Sequence, residues 1–267
     1  MVIADLVAWF ETWSDPAWQE NWDNCGWQVE PGVLNQPARV LVCLTPTLAV
    51  LQEALVLEAN LIFAHHPLIF TPLKSLQVKD GGGGKMIGLA FQHQIGIYSA
   101  HTNFDQVTDG TAHVLAQLLA LQEMQPLVPT HNGQGYGRVG HLPFALTLRA
   151  LLDQIQVQLQ PTQLCYSPAL ETQVIQKVAV LGGSGASYIT AAVNAGAEAY
   201  LTSDCKFHQF QASRDQGLVL IDAGHYATER PACERLVQKL ITWGVEWAKL
   251  AQSDEDFRQL HYAPERY

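Results

Sequence analysis

The chain has 267 residues, of which 48% are hydrophobic and 15% are charged, and its formal net charge is −10. This composition supports a large buried core and argues against long disordered segments, and the negative charge argues against a nonspecific nucleic-acid or anionic-membrane surface. No apolar run reaches the ~18 residues of a membrane span and no signal peptide is visible, so we expect a cytoplasmic protein.

The first part of the chain alternates helical patterns with short apolar runs that are typical of buried strands. Residues 2–13 are predicted to form a helix because large apolar side chains occupy one broad face, and Ser14-Asp15-Pro16 ends it. The strands predicted after it are 39–44, 59–64 and 95–100, and the helices are 48–58 and 110–121. This alternation predicts a largely parallel sheet covered by helices.

A second block of strands and helices begins near residue 130. Its predicted strands are 136–142, 177–181, 199–202 and 218–223, and its predicted helices are 144–156, 187–195, 206–216 and 228–250. No Pro- or Ser-rich linker separates the blocks, so we expect them to pack tightly. The predicted fold class is α/β, with mixed, largely parallel sheets covered by helices in a first lobe, residues 1–125, and a second lobe, residues 126–267.

Ionisable side chains follow three of the predicted strands, at the point where each strand ends. His65 and His66 follow the strand 59–64, and further groups follow the strands 95–100 and 218–223. Ligands in α/β folds gather outside the carboxyl ends of strands. A mixed set of imidazoles and carboxylates of this size is too rich for one metal ion and about right for two. The predicted metal ligands are His65, His66, Asp105, His225 and Glu229.

The predicted ligands come from both lobes, so we expect the metal site at the interface between the lobes. His225 and Glu229 are four positions apart, and if a helix begins near His225 they face the same way, one turn apart. Glu229 is the best candidate for a carboxylate that bridges two ions. His101 fits three roles, as a ligand, as a proton shuttle or as a partner that orients a ligand, and we favour the last two.

Each of these motifs also has an ordinary structural explanation. The pair of histidines fits a polar strand end or a core histidine, Asp105 fits a loop carboxylate, and Glu229 fits a helix start, where acidic side chains are favoured. Adjacent strand residues point to opposite faces, so His65 and His66 share one site only if the strand ends there, and Pro67 supplies that end. The combination of motifs favours metal binding over these alternatives.

Two glycine-rich stretches invite comparison with phosphate-binding loops. Residues 182–185 lie between a predicted strand and a predicted helix, where anion binding by backbone N–H groups and a tight turn are equally good explanations. They do not complete GxSxG, because Ala186 replaces the last glycine. Residues 81–85 do not match GxxxxGK[ST], and we interpret them as a mobile, lid-like loop. The five cysteines are scattered, without a disulfide framework or the CxxC spacing of zinc sites.

Six motifs stand in the order found in one protein family. They are Trp22-Asp23-Asn24-Cys25-Gly26-Trp27-Gln28-Val29, Ala64-His65-His66-Pro67-Leu68, Tyr98-Ser99-Ala100-His101-Thr102-Asn103-Phe104-Asp105, Gly183-Ser184-Gly185, Thr202-Ser203-Asp204 and Asp222-Ala223-Gly224-His225-Tyr226-Ala227-Thr228-Glu229. From about residue 20 to about residue 250, the chain resembles the Nif-three-like proteins, also called YbgI or GTP cyclohydrolase 1 type 2 homologues.

This resemblance implies a two-lobed α/β protomer with a dinuclear metal centre, assembled as a ring-shaped homohexamer. Only about 50 residues separate the first half from Lys177, so the chain resembles the short form that lacks an inserted domain. One departure is Ser203, which stands where the family usually has glycine. A serine there has less backbone freedom, which bears on the shape of that turn.

These observations predict a metal-dependent hydrolase. Two divalent ions, of Zn, Fe, Mn or Ni, would activate a water for attack on a nucleotide-like or phosphoester small molecule, and the resemblance implies a GTP cyclohydrolase type of reaction. The alternative is a non-catalytic hexamer that binds metal or nucleotide and acts as a regulator or scaffold. A coordination sphere without an open position would favour the alternative, because catalytic sites keep one open.

Overall fold

The structure, a computed structural model, describes residues 1–77, 83–131 and 133–261. These residues form two β-sheets with helices packed on their faces. None of the helices described is long and apolar enough to cross a membrane. The fold class predicted from the sequence, α/β with two mixed sheets covered by helices, is confirmed.

Eleven strands form the two sheets within the described residues. They are β1 (Gly26–Val29), β2 (Arg39–Cys43), β3 (Leu61–Ala64), β4 (Gly96–Ser99), β5 (Gln122–Pro129), β6 (Gly135–Thr147), β7 (Cys165–Tyr166), β8 (Val174–Val180), β9 (Ala199–Thr202), β10 (Val219–Asp222) and β11 (Trp247–Leu250). The α-helices described are α1 (Ile3–Trp13), α2 (Leu48–Val56), α3 (Gly83–Gln92), α4 (Thr102–Gln106), α5 (Thr111–Leu118), α6 (Leu148–Leu159), α7 (Ile189–Asn194), α8 (Phe207–Asp215) and α9 (His225–Thr242).

The first sheet has the strand order β1-β4-β3-β2-β11. The strands β4, β3, β2 and β11 are parallel, and β1 pairs with β4 in the antiparallel direction. The central strand β3 is fully buried, as expected for a continuous apolar run in a parallel sheet covered on both faces. Because β3 and β4 are parallel neighbours, the residues that follow them emerge at the same edge of the sheet.

The second sheet has the strand order β5-β6-β8-β9-β10-β7. Its strands β8, β9 and β10 are parallel, and Ala199 in β9 pairs with Val178 on one side and Val219 on the other. The outer pairings, which join β5 to β6, β6 to β8 and β10 to β7, are antiparallel. The carboxyl end of β10 leads through Gly224 into α9, which begins at His225.

The C-terminal part of the chain differs from the prediction. The helix predicted over 228–250 ends at Thr242, because Gly244 turns the chain with φ of 100°. The following residues form β11, which pairs with β2 in the first sheet, with Trp247 opposite Arg39. The predicted second lobe, 126–267, therefore includes a strand of the first sheet, and the predicted boundary at residue 125 falls inside β5.

Helix α9 belongs to the predicted second lobe, but it packs against the first sheet. Its buried face includes Leu236 and Leu240, which belong to the same hydrophobic cluster as Phe10 and Phe63. The cluster also contains side chains of α1, β2 and β4. A continuous hydrophobic core thus joins α9 to the first sheet, and it holds the N-terminus of α9 next to the ends of β3 and β4.

Several short elements were not predicted. The residues that follow His101, for which no helix was predicted, form α4, and the strands β1, β5 and β7 were missed. The helix predicted over 144–156 starts later, at Leu148, because Thr147 accepts a hydrogen bond from the N–H of Ala150 and caps it. Of the predicted lid-like loop, Gly81 and Gly82 lie outside the described residues, and α3 contains the glycines that follow.

Candidate metal centre

The two consecutive histidines lie immediately after β3, and both face the same cluster. Their ring centroids are 5.2 Å apart. The side chain of His65 is 1% exposed and that of His66 is 22% exposed. Both side chains reach one site because the strand ends at Ala64 and the chain turns before Pro67.

The orientation of His65 leaves one of its nitrogens without a hydrogen bond. Nδ1 lies 2.8 Å from the carbonyl oxygen of Ala100 and donates to it, which leaves Nε2 as an acceptor. Nε2 is buried without a hydrogen-bond partner, 3.6 Å from Oδ1 of Asp105 and 3.7 Å from Oε1 of Glu229. These distances are too long for hydrogen bonds, so a buried ring nitrogen faces two carboxylates without a hydrogen-bond partner. This arrangement fits a cation.

Glu229 directs its two carboxylate oxygens to different histidines. Oε1 faces His65, whereas Oε2 lies 3.0 Å from Nε2 of His66 and 2.8 Å from Nε2 of His225. The Nε2 atoms of His66 and His225 are 3.3 Å apart. Glu229 is buried, with a side chain 5% exposed, and it lies one helical turn after His225 at the start of α9.

The candidate ligands therefore fall into overlapping groups, within each of which the ligand atoms lie within 4.8 Å of one another. These groups are His65, Asp105 and Glu229; His66, His225 and Glu229; and His65, His66 and His101. The structure brings together all five residues predicted as ligands and the predicted proton shuttle, and it places them between the two sheets. Imidazole nitrogens with carboxylate oxygens suit Zn, Fe, Mn or Ni.

Hydrogen bonds to neighbouring residues hold the ligand side chains in place. Thr45 Oγ1 lies 2.8 Å from Nδ1 of His66, and Asp204 Oδ2 lies 2.6 Å from Nδ1 of His225. The hydroxyl of Thr111 donates to Oδ1 of Asp105 at 2.5 Å. Each contact fixes the orientation of a ring or carboxylate, which is how supporting residues tune a metal site.

Asp204 stands in one of the family motifs but was assigned no role from the sequence, and Thr45 and Thr111 were not predicted at all. Asp204 adopts a left-handed conformation with φ of 56°, which turns the chain after β9 toward His225. The signal that pointed to Asp204 was its place in the Thr-Ser-Asp motif. A threonine that follows a strand carries no comparable signal, because this residue type is common at helix starts.

His101 forms a pair with Asp23, whose side chain is fully buried. Nδ1 of His101 lies 2.8 Å from Oδ1 of Asp23, and Oδ2 of Asp23 accepts from the N–H and the hydroxyl of Thr102. Burial favours the neutral acid, but hydrogen bonds from His101 and Thr102 outweigh burial and hold the pKa of Asp23 well below its usual range. Asp23 is therefore a fixed negative charge behind His101.

Without metal, the cluster itself attracts protons. Burial disfavours charge on His65, but Glu229 and Asp105 outweigh it and raise the pKa of His65 to about 9. Glu229 and Asp204 similarly overcome burial and raise the pKa of His225 to about 10. Burial and the neighbouring positive charges lower the pKa of His66. Protons at His65 and His225 occupy the lone pairs that a metal ion would use, so the two compete.

The stretch 182–185 packs directly against the cluster. A Cβ at Gly183, whose φ is 66°, would overlap Oε1 of Glu229. The N–H of Gly183 donates to Thr228 Oγ1 at 3.0 Å, and its carbonyl accepts from Ser203 Oγ at 2.7 Å. Glycine is thus required because the backbone approaches Glu229 closely. Ser203, the departure from the family motif, is buried with a hydrogen-bonded hydroxyl, and the positive φ in that turn belongs to Asp204.

A cavity of about 550 Å³ opens onto the cluster. Its walls include His66, His101 and Glu229, together with aromatic side chains from both lobes. A larger surface groove of about 1000 Å³ lies elsewhere, between α2, α9 and β11, and its lining includes none of the candidate ligands. Of these two, only the smaller cavity gives a ligand access to the cluster, and its volume is ordinary for a small-molecule site.

A family model described as Duf34/NIF3 (NGG1p interacting factor 3) matches residues 1–255. A protein of Nostoc sp. named GTP cyclohydrolase 1 type 2 homolog is 64% identical over 260 residues, which cover 97% of this chain and 98% of that relative. A protein of Streptomyces coelicolor with the same name is 34% identical over 206 residues, which cover 75% of this chain and 72% of that relative.

Solved structures resemble the chain over nearly its full length. The Staphylococcus aureus protein SA1388 superposes with a TM-score of 0.89 and 25% identity, covering 98% of this chain and 99% of that one. Reduced HcgD from Methanocaldococcus jannaschii superposes with a TM-score of 0.80 and 26% identity, covering 94% of this chain and 98% of that one. Both comparisons support the two-sheet α/β architecture described above.

Proposed function

The chain belongs to the Duf34/NIF3 family, and we propose that within this family it is a metal-dependent hydrolase with two divalent ions per chain. The proposed substrate is a nucleotide-like or phosphoester small molecule, and a reaction of the GTP cyclohydrolase type is one such reaction. This reaction is proposed because relatives carry the name GTP cyclohydrolase 1 type 2 homolog, so its support is sequence similarity alone.

One observation carries the proposal: the two oxygens of Glu229 face different histidines, Oε1 toward His65 and Oε2 toward His66 and His225. A carboxylate that divides two groups of nitrogen ligands in this way suits a bridging role between two ions. In the proposed assignment, His65, Asp105 and Glu229 would hold one ion. His66, His225 and Glu229 would hold the second.

Bound divalent ions would supply Lewis acidity, which makes a bound water more acidic and polarises a substrate oxygen. The chain supplies proton transfer through His101. Because Asp23 accepts the hydrogen bond from Nδ1, the neutral ring keeps a free lone pair on Nε2, and that atom can take up a proton. Asp23 also stabilises the charged ring that results, as an orienting carboxylate does in other acid–base pairs.

The direct test is a screen of nucleotide and phosphoester substrates with protein of measured metal content. We expect turnover by metal-loaded wild type, and loss of turnover after chelation and in Glu229→Ala. The matched control is Glu234→Ala, which removes an exposed glutamate of the same helix that pairs with Arg230. Fully metallated protein that turns over no substrate in the screen would favour the regulator or scaffold instead.

We also propose that the chain assembles as a homohexamer, as the resemblance to its family implies. Large hydrophobic side chains outside the cavity support this proposal, because exposed apolar surface commonly marks interfaces between subunits. Phe144 is 79% exposed, Phe207 is 87% exposed and Val56 is 82% exposed.

A further inference from the structure

We infer that the cavity beside the cluster binds a planar nitrogen heterocycle, which stacks against the exposed rings of Trp22 and Phe70 at its mouth. This inference rests on the proposed function of the site and narrows its substrate class. It stands on three observations, which are the aromatic walls of the cavity, the exposure of Trp22 and Phe70, and the hydrogen bonds between the segments that carry this pair.

The cavity has aromatic side chains on walls from both lobes. Trp22 and Phe70 come from the first lobe, with ring centroids 5.9 Å apart, and each also lies edge-on to His101, at 6.0 and 6.4 Å. Tyr136 and Tyr188 come from the second lobe and stack with centroids 5.9 Å apart and an interplanar angle of 21°. Flat aromatic surfaces of this kind bind flat rings by stacking.

The first pair is unusually exposed for residues of this size. Trp22 is 57% exposed and Phe70 is 54% exposed, although each lines a concave site. Leaving large aromatic surface in water is unfavourable, so neighbouring exposed aromatics at the mouth of a cavity indicate a surface that a ligand covers.

Hydrogen bonds tie the segments that carry this pair to each other. The side-chain amide of Asn24 donates to the carbonyl of Ile69 at 2.7 Å, and the N–H of Ile69 donates to Oε1 of Gln28 at 2.9 Å. Gln28 in turn donates to the carbonyl of Asn24 at 2.7 Å. Trp22 and Phe70 are thereby held next to each other before any ligand binds, which lowers the entropic cost of binding.

The polar groups of the cavity suit the edge of a heterocycle. Glu20, Ser187 and the hydroxyl of Tyr188 can accept hydrogen bonds from, or donate them to, ring nitrogens and exocyclic groups.

Calorimetric titration of metal-loaded protein with a panel of nucleosides tests this inference. We expect at least one nucleoside to bind. Trp22→Ala should weaken nucleoside binding roughly tenfold, as expected from loss of one base–aromatic stacking contact. Phe70→Ala should weaken it in the same direction, and Trp22→Phe should restore most of the affinity.

The matched control is Trp9→Ala, which removes a 39% exposed tryptophan that contacts Trp243 and does not line the cavity. It should leave nucleoside affinity unchanged. Metal content is measured in every variant and should not change, because Trp22 and Phe70 are not ligands. Titration after chelation should still show Trp22-dependent nucleoside binding, since the chain's own side chains make the stacking contacts.

The inference is overturned if no nucleoside binds, or if Trp22→Ala binds nucleoside as well as wild type. None of these outcomes depends on the proposed metal centre. The proposal of a metal centre is refuted separately, by a metal content that stays near zero. Nucleoside binding without turnover would keep the inference and contradict the hydrolase.

Discussion

Asp23 and His101 are 78 positions apart in the sequence, yet Oδ1 of Asp23 lies 2.8 Å from Nδ1 of His101. The side chain of Asp23 is fully buried and that of His101 is 15% exposed, so the pair joins a fixed charge to a ring that faces the cavity. This contact gives His101 one defined tautomer, and it leads to the first prediction.

Replacing Asp23 with asparagine should lower the hydrolysis rate while leaving metal content unchanged. The asparagine keeps the shape but loses the charge that stabilises a protonated His101, and general acid–base catalysis is typically worth about 10²–10⁴-fold. Asp153→Asn, which alters an exposed pair with Arg149 on α6, is the control. Steady-state kinetics with elemental analysis measures both quantities. If Asp23→Asn or His101→Ala strips the metal, His101 is a ligand and its proposed role is wrong.

Wild-type protein purified without chelator should contain close to two metal ions per chain, and Glu229→Gln should contain fewer. The amide removes the charge that both ligand groups share, so binding at both positions weakens. Glu234→Gln on the same helix should match wild type, because Glu234 is 58% exposed and pairs only with Arg230 among described partners. Elemental analysis after metal supplementation measures this, and a wild-type value near zero would contradict the site assignment.

Gly183→Ala should destabilise the protein and reduce its metal content together. Its left-handed φ of 66° costs an alanine about 1–2 kcal/mol, and the added Cβ would displace the carboxylate of Glu229. Gly88→Ala is the matched control, since a Cβ there meets no atom within 4 Å and alanine favours a helix. Thermal unfolding should show a lower Tm for the first variant only. Equal Tm and metal content in both variants would refute the close approach to Glu229.

Stabilisation by added zinc should increase with pH between about pH 6 and pH 8. The folded metal-free protein has pKa values of about 9 at His65 and about 10 at His225, raised from 6.5. Protons on these rings therefore stabilise the metal-free fold below pH 6.5, and this contribution is lost as pH rises through those raised values. Metal must displace the same protons, so its affinity rises with pH.

Thermal shift assays of chelator-treated protein, with and without zinc at several pH values, measure this effect. The zinc-induced rise in Tm should be larger at pH 8 than at pH 6 in wild type. A variant that lacks both rings, His65→Ala with His225→Ala, should show little zinc effect at either pH. An equal zinc effect at both pH values in wild type would contradict proton competition at these two rings.

Light scattering at micromolar concentration should report a mass close to six times that of the 29.5 kDa chain. Charge substitution of an exposed apolar residue, such as Phe207→Glu, should lower the mass if that residue lies in an interface. Lys206→Glu, on the neighbouring exposed position, controls for the added charge. A monomer in wild type would contradict the proposed hexamer.

The residues of the cluster could be predicted from the sequence because their signals are local. A continuous apolar run predicts β3, and His65 and His66 stand directly after the end of that run. The four-residue spacing of His225 and Glu229 places them on one face of α9 as soon as a helix is predicted there. The family motifs then joined these separate signals into one site.

The partners of the cluster could not be predicted because they depend on distant segments. Asp23 reaches His101, and Thr45 reaches His66, only after the first sheet has set the order of its strands. The strand β11 was mistaken for helix because its four residues follow a long helical pattern, and Gly244, which ends that helix, was counted as part of it. It becomes a strand because the edge of β2 offers unpaired backbone groups.

The return of the chain to the first sheet has a consequence for how the protein is made. On the ribosome, β2 is synthesised about two hundred residues before β11, so its edge stays unpaired until the C-terminal segment emerges. Asp254, which accepts the N–H of Leu44 at 2.7 Å, closes the same edge even later. The N-terminal half therefore cannot complete the first sheet until β11 and Asp254 have been synthesised, and a nascent chain that stops earlier exposes a strand edge to aggregation or to chaperones.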